Sequence, residues 1–247
     1  MTENSGGSFL LSLGFWLALL SVIALAISGP GSRLGLWNFR FGFTLMRYSA
    51  MLGLVAALIC IVILFVSLRS GFSSLAVLAI AGIVIGLFTF GNLALIAINS
   101  KHIPRINDIT TDIKNPPQFA ALLQFRKNAP VPSMYPGPDT AANQLQAYPG
   151  IKPFVSGLST GDAFDRALKT GVKMGWKILD SNMADGHIEA TDTTFWYGFK
   201  DDIVIRIMPT KTGSIVDMRS TSRVGKSDFG TNAKRILKFM KLMAESH

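Results

Sequence analysis

The side chains best able to do chemistry crowd into one run near the C-terminus, Asp217-Met218-Arg219-Ser220-Thr221-Ser222-Arg223-Val224-Gly225-Lys226-Ser227-Asp228-Phe229-Gly230-Thr231-Asn232-Ala233-Lys234-Arg235. On a strand, Asp217, Arg219 and Thr221 point to one face while Val216, Met218 and Ser220 point to the other. The loop that follows offers hydroxyls, glycine and backbone amides just ahead of a helix, an arrangement able to hold an anion. Arg219 and Arg223 add two-pronged recognition of phosphate or carboxylate, with both guanidinium groups expected to converge near the start of that helix. The candidate anion- or partner-binding set is therefore Arg219, Ser220, Ser222, Arg223, Ser227, Asn232 and Arg235. A purely structural role explains the same residues. Ser227 or Asp228 can cap the helix, and the arginines can pair with Asp201, Asp202, Asp217 or Glu189. The Gly-x-x-x-x-Gly-Lys-Ser/Thr spacing of a P-loop is missing.

Nothing else in the chain assembles a reaction centre. The histidines are His102, His187 and His247, far apart in sequence. A zinc site needs several placed ligands and a triad needs a base beside its nucleophile. His187 and Glu189, on alternate strand positions, make a thin pair that reads as surface or hairpin duty. No catalytic residue, metal site or cofactor is expected.

The elements that must position the polar run fall into three parts. Residues 1–100 hold three uncharged apolar stretches, Phe9–Ile27, Ser49–Leu68 and Leu75–Ile98. Each is long enough to cross a hydrocarbon core about 30 Å thick, and a backbone in lipid must be helical to satisfy its own hydrogen bonds. Gly29-Pro30-Gly31 should end the first span, Arg69-Ser70-Gly71 should turn between the second and third, and Pro104 should stop the third. The loop over Ser32–Thr44, with Trp37, Phe39, Phe41 and Phe43, should lie in the membrane interface. Gly82 and Gly86 form a small-xxx-small pair for helix packing, and Asn92 could hydrogen-bond a neighbouring helix. The first span lacks a basic n-region and a good cleavage site, so it is read as retained rather than as a signal peptide.

Residues 101–159 are proline-rich, which forbids long helices and central strands. Phe119, Leu122, Leu123, Phe125, Tyr135, Tyr148 and Phe154 argue for an extended arm packed on the domain. Residues 160–247 carry the regular structure. Thr160 is the expected N-cap of a helix that Gly175 stops. Four strands follow over Trp176–Ser181, His187–Phe199, Ile203–Met208 and Ser214–Ser222, joined by turns at Asp185-Gly186, Lys200-Asp201-Asp202 and Lys211-Thr212-Gly213. A last helix runs from about Gly230 to Ser246, with Ala233, Ile236, Leu237, Met240 and Met243 inward. The fold class is thus an α+β domain (helix, four-strand antiparallel meander, helix) behind an all-α transmembrane region, with the helices on one face of the sheet.

The chain has a formal net charge of +9, and its single cysteine, Cys60, lies inside the second span. In a membrane-tethered domain, a basic surface points to anionic headgroups. Nucleic acid is set aside, because the aromatic-basic interleaving of single-strand binders is missing. Thiol chemistry does not report the compartment, since no disulfide framework exists.

Several segments together carry a resemblance: Asp108-Ile109-Thr110-Thr111-Asp112, Asn115-Pro116-Pro117-Gln118-Phe119, Gly175-Trp176, Ile188-Glu189-Ala190, Phe199-Lys200-Asp201-Asp202, Arg219 to Gly225 and Asp228 to Ile236. In order and spacing they resemble domain of unknown function family 1499, from about Ile106 to the C-terminal helix. The resemblance implies no established reaction. Similar bacterial domains are often exported or lipid-anchored, and plant relatives are plastid proteins. That implies a domain outside the cytoplasm, whereas Arg33, Arg40, Arg47, Lys101 and Arg105 against Arg69 favour the cytoplasmic side. Because the charge bias is small, the expected placement is a multi-pass protein of the bacterial inner membrane with a periplasmic domain. The expected function is a non-enzymatic accessory or binding module that contacts an anionic lipid headgroup or a membrane-protein partner. The alternative is an enzyme on lipid or envelope substrates, with Asp201 or Asp217 as acid/base.

Overall fold

Small side chains decide how the three N-terminal helices pack. The computed structural model describes residues 5–70 and 73–245, and contacts divide the chain into two units. The first comprises α1 (Ser5–Arg33), α2 (Phe39–Ser70) and α3 (Ser73–Ser100), together with Trp196–Gly198. Leu13–Arg33, Phe39–Arg69 and Ala76–Ser100 are long and apolar enough to cross a membrane. Their buried side chains are nearly all small: Ala18, Ser21, Ala50, Ala56, Ala57, Cys60, Ala79 and Thr89. The large ones, among them Leu20, Ile23, Val62, Phe65, Val84 and Ile96, stay exposed. Lipid removes the hydrophobic drive between helices, so close backbone approach takes its place. A Cβ on Gly86 would run into the Gly53 carbonyl and Ala57, and one on Gly82 would meet the Cys60 sulfur. Both glycines therefore serve packing inside this bundle. Across it, the Ser21 hydroxyl donates to Thr89 Oγ1 at 3.3 Å. The Asn92 amide donates to Phe88 O of its own helix at 2.7 Å, not to a neighbour.

Two expectations about the spans need correction. Helix α1 does not stop at Gly29-Pro30-Gly31 but continues through Pro30 to Arg33. Proline removes only one helical bond, and in lipid the remaining backbone groups have no other partners. Helix α2 begins at Phe39, so the connection is residues 34–38, not the whole of 32–44. Phe39 and Phe43 stack edge-on along its first turns, 5.9 Å apart. The expected turn at Gly71 lies outside the described residues, as does Ser246.

The second unit is built on one antiparallel sheet in the order β1-β6-β5-β4-β3, with β2 also paired to β6. The expected meander is β3 (Lys177–Asn182), β4 (His187–Thr193), β5 (Lys200–Thr210) and β6 (Gly213–Ser222). The arm adds β1 (Asp108–Thr110) and β2 (Phe154–Ser156), each of three residues, and the short helices α4 (Leu123–Arg126) and α5 (Pro138–Ala147). Helices α6 (Thr160–Lys173) and α7 (Thr231–Glu245) cover one face, burying Phe164, Ala167, Ile203, Ile205, Val216, Met218, Ile236 and Phe239 in the main core. Trp176 stacks on Phe239 with ring centroids 5.5 Å apart. The opposite face is not open. The arm covers it, with Phe119 and Leu122 closing over Val204 in a second cluster.

Local readings shift by small amounts with clear causes. Ser159, not Thr160, caps α6, accepting from Asp162 N. Gly175 leaves the helix at φ +81°, a conformation open to glycine. In α7, Ala233, Ile236 and Met243 are buried as expected, but Leu237 is 45% exposed and Phe239 is buried. Lys200-Asp201-Asp202 is strand rather than turn, with Asp201 and Asp202 registered against Asp192 and Thr191. The β4–β5 connection is instead residues 194–199, closed by Thr194 N donating to Phe199 O at 2.8 Å.

Candidate functional site

Alternation along β5 and β6 sorts the polar run onto two faces. Toward the arm stand Asp202, Val204 and Arg206 of β5, and Asp217, Arg219 and Thr221 of β6. Arg219 is fully buried. Its Nε and Nη2 donate to the two oxygens of Asp108 at 2.9 and 2.7 Å, and Nη2 and Nη1 reach the Ser133 and Pro117 carbonyls. Phe119 and Tyr135 lie against its guanidinium, 5.0 and 5.6 Å from ring centre to Cζ. Beside it, one carboxylate serves two arginines. Asp202 accepts from Arg223 Nε and Nη2 at 2.8 Å each, from Arg126 Nη1 at 2.7 Å and from the Thr191 hydroxyl at 2.8 Å. Further down the strands, Arg206 Nη2 donates to Asp217 and Asp112 at 2.8 and 3.1 Å, and the Thr111 hydroxyl donates to Asp217.

The same face also holds the arm itself. Glu189, fully buried, accepts from Ala120 N and Ala121 N on one oxygen and from Leu122 N on the other, at 2.5, 3.2 and 2.7 Å. These amides begin the turn into α4 and would otherwise be orphaned donors. His187 Nε2 sits 3.6 Å from Glu189 Oε1, so the thin pair on β4 is a fastening for the arm.

On the helix-covered face, the polar residues knit the start of α7 to the sheet. Asp228 caps it, accepting from Gly230 N at 2.9 Å and Asn232 N at 2.7 Å. Burial pushes the Asp228 carboxyl up, and these amide bonds only partly oppose that. Asn232 Oδ1 accepts from the Ser220 hydroxyl, and its amide donates to Ser222 Oγ and Asn107 O. Arg235 binds Asp192 Oδ2 at 2.8 Å, Asp201 Oδ2 at 2.7 Å and Ser220 Oγ at 3.0 Å. Ser227 receives Phe229 N.

The expected set is therefore split by the sheet. Ser220, Ser222, Asn232 and Arg235 meet at the start of α7. Arg219 and Arg223 lie on the opposite face, because Asp108 and Asp202 draw them there; they do not converge on that helix. Arg235 takes Asp201 and Arg223 takes Asp202, two of the anticipated carboxylates, whereas Arg219 takes Asp108, which sequence reasoning passed over together with Arg126, Thr191 and Asp192. Period-two alternation of Asp217, Arg219, Thr221 and Arg223 was the available signal. A charged strand face inside a domain demands a charged cover, and the arm supplies Asp108, Asp112 and Arg126.

Two shallow cavities lie away from this network. One, of about 400 Å³, is lined by Leu158, Asp162, Asp165, Arg166, Lys169, Thr170 and Lys173. The other, of about 380 Å³, runs along Phe154–Leu158 to Arg166, Met243 and Ala244. Asp201 and Asp217, the expected acid/base candidates, face neither and are held by Arg235 and Arg206. No cluster of three or more His, Cys, Asp or Glu able to hold a metal occurs among the described residues.

A family model described as a protein of unknown function (DUF1499) matches residues 108–243, which is more than half of the chain. No curated protein and no solved structure matches.

Proposed function

The chain belongs to the DUF1499 family, and we propose that it is a membrane-anchored, non-enzymatic binding module whose second unit engages anionic lipid headgroups. The observation that carries this reading is the division of cations. The buried arginines are consumed by internal carboxylates, while Lys234, Lys238 and Lys241 stand exposed along the outer side of α7. Leu237, 45% exposed, sits among them. A lysine stripe with an apolar side chain in its midst is the composition of a helix that rests on a headgroup layer. Lys241 shares its charge with Glu245 at 3.6 Å; each lysine near an anionic surface adds about 1 kcal/mol, so Lys234 and Lys238 alone supply about 2 kcal/mol, or roughly thirtyfold in affinity. That is weak for a free protein and ample for one tethered beside its ligand, where effective concentration is high. The role is that of an accessory component in a bacterial inner membrane, with this unit on the periplasmic side.

The test uses the full chain in nanodiscs of neutral lipid. Vesicles containing phosphatidylglycerol should bind and vesicles of phosphatidylcholine alone should not. Lys234→Gln, Lys238→Gln and Lys241→Gln together should abolish binding without unfolding the unit. Equal binding to both vesicles, or none to either, sinks the lipid reading. Lysine-dependent co-purification of a membrane protein in mild detergent, with no vesicle binding, would identify a protein partner instead. Alkaline phosphatase fused after His247 should be active; fluorescence from green fluorescent protein there, without phosphatase activity, would place the unit in the cytoplasm.

A further inference from the structure

The most exposed of the large apolar side chains described is Phe195, at 82%, in the connection between β4 and β5. A lone exposed phenyl is ordinary on a soluble surface, so its surroundings decide what it means. The three residues after it, Trp196–Gly198, belong to the helical unit. A Cβ on Gly29 of α1 would run into the Trp196 ring, and one on Gly42 of α2 would meet the Tyr197 ring. Tyr197 also packs on Phe43, with ring centroids 4.7 Å apart, and its hydroxyl donates to Met46 Sδ at 3.8 Å. The first span ends at Arg33, and Gly29 lies about one turn, roughly 6 Å, inside that end. At the same level Trp37 Nε1 donates to Ser28 O at 3.2 Å. Trp37, Trp196 and Tyr197 thus form a belt of rings with polar tips, which is the chemistry of headgroup depth. Phe195 is the chain neighbour of that belt.

A second exposed phenyl is brought to the same membrane surface by another route. Phe229, in the loop before α7, is 52% exposed and has φ +53°, a left-handed conformation that is costly for a bulky residue. Its loop is stitched to the segment that follows the third span. Asp228 N donates to Ile106 O at 3.3 Å, the Asn107 amide donates to Gly225 O, and a Cβ on Gly230 would stand 3.9 Å from Ile103. The third span ends at Ser100, and the three residues from there to Ile103 reach at most about 11 Å. The Phe229 loop therefore stays close to where the chain leaves the bilayer. Lys226, in the same loop, is exposed as well. Both phenyls belong to one side of the membrane, the side on which α1 ends, α2 begins and α3 ends.

We propose that Phe195 and Phe229 insert into the boundary between headgroups and acyl chains of the bilayer that α1–α3 cross. The partner is the lipid surface itself. A phenyl ring has no polar atom to hydrate, so acyl contact is favourable for it. The loop backbones stay at headgroup level, where water satisfies their N–H and C=O groups. The strain at Phe229 aims a ring outward, and lipid contact offsets its cost. These two contacts need no lipid charge. They hold in a neutral bilayer and do not rest on the lysine stripe of α7.

The test uses the full chain in nanodiscs of phosphatidylcholine alone, where the α7 lysines meet no anionic headgroup. Phosphatidylcholine with a photoactivated diazirine near the top of its acyl chain should form adducts at the native Phe195 and Phe229. The β3–β4 hairpin at Met183, 49% exposed, should stay free of them. Nitroxides at Phe195→Cys and Phe229→Cys, each in a Cys60→Ala background, should be compared with one at Met183→Cys. They should collide severalfold more with oxygen and severalfold less with a water-soluble nickel complex. Phe195→Ser with Phe229→Ser should lose the adducts at both positions and keep lysine-dependent binding to phosphatidylglycerol vesicles. Absence of adducts at either phenylalanine, or a nitroxide there as open to nickel as at Met183, overturns the proposal. The triple lysine variant should give the same adducts as the wild type, so failure here and failure of the headgroup reading are separable.

Discussion

Arg219→Met should be the most damaging single change in the polar run, and the ion pairs say by how much. Arg219 meets the Asp108 carboxylate through two charge-assisted bonds of 2.9 and 2.7 Å, one to each oxygen. Both side chains are buried, at 0% and 1% exposure, so solvent screens neither. Removing the arginine strands a carboxylate in the interior, which costs about 3–5 kcal/mol. Arg223→Ala should cost less, about 1.5–3 kcal/mol for lost bonds to a charged group. Its partner Asp202 keeps Arg126 and Thr191, and Arg223 itself is partly exposed. With a urea slope of about 2 kcal/mol per molar, a 4 kcal/mol loss lowers the midpoint by about 2 M. Pulse proteolysis of the full chain in detergent measures that midpoint for the second unit while α1–α3 stay in the micelle. Adding Asp108→Asn to Arg219→Met should recover much of the loss, because the stranded charge is gone. If Arg219→Met lowers stability by less than about 1 kcal/mol while binding of an anion disappears, the arginine is a ligand contact and this reasoning is wrong.

Three further outcomes follow from the same geometry. Glu189→Ala should release the arm, speeding proteolysis and hydrogen exchange at Ala120, Ala121 and Leu122, whose amides it receives; unchanged exchange there would show that Phe119 and Leu122 hold the arm unaided. Burial raises the Asp228 carboxyl above its ordinary 3.8, so the folded state holds that proton more tightly than the unfolded one. The stability so gained is full below pH 3.8 and is lost as pH rises through the raised value; Asp228→Asn should flatten that slope, as a urea-midpoint profile against pH will show. Gly86→Ile should force α3 off α2 and lower the detergent melting temperature, because Gly53 and Ala57 leave no room, whereas Gly91→Ala meets nothing within 4 Å and should be silent.

How much of this was legible in the sequence depends on the range of the interactions involved. The spans were readable because lipid demands an uninterrupted apolar stretch, and α1, α2 and α3 cover all three expected segments. The meander was readable from its tight turns: Asn182 faces His187 across Asp185-Gly186, and Thr210 faces Gly213 across the next turn. The larger failures are long-range. Strands β1 and β2 are three residues each, too short for any periodicity, and exist because β6 offers them an edge. Lys200-Asp201-Asp202 looked like a turn because acidic residues are turn formers in isolation. Here, Arg235, Arg126 and Arg223 neutralise the two aspartates from distant parts of the chain, and the pairing turns a surface signature into an interior one. The membership of the polar run was therefore legible from residue types alone, while its division between two faces was not. Strand alternation already forbade Arg219 and Ser220 from sharing a face, and only the arm shows which face is dry. A charged strand is read correctly when its cover is found first: Asp108, Asp112 and Arg126, in a segment chosen for its prolines, settle what the arginines do.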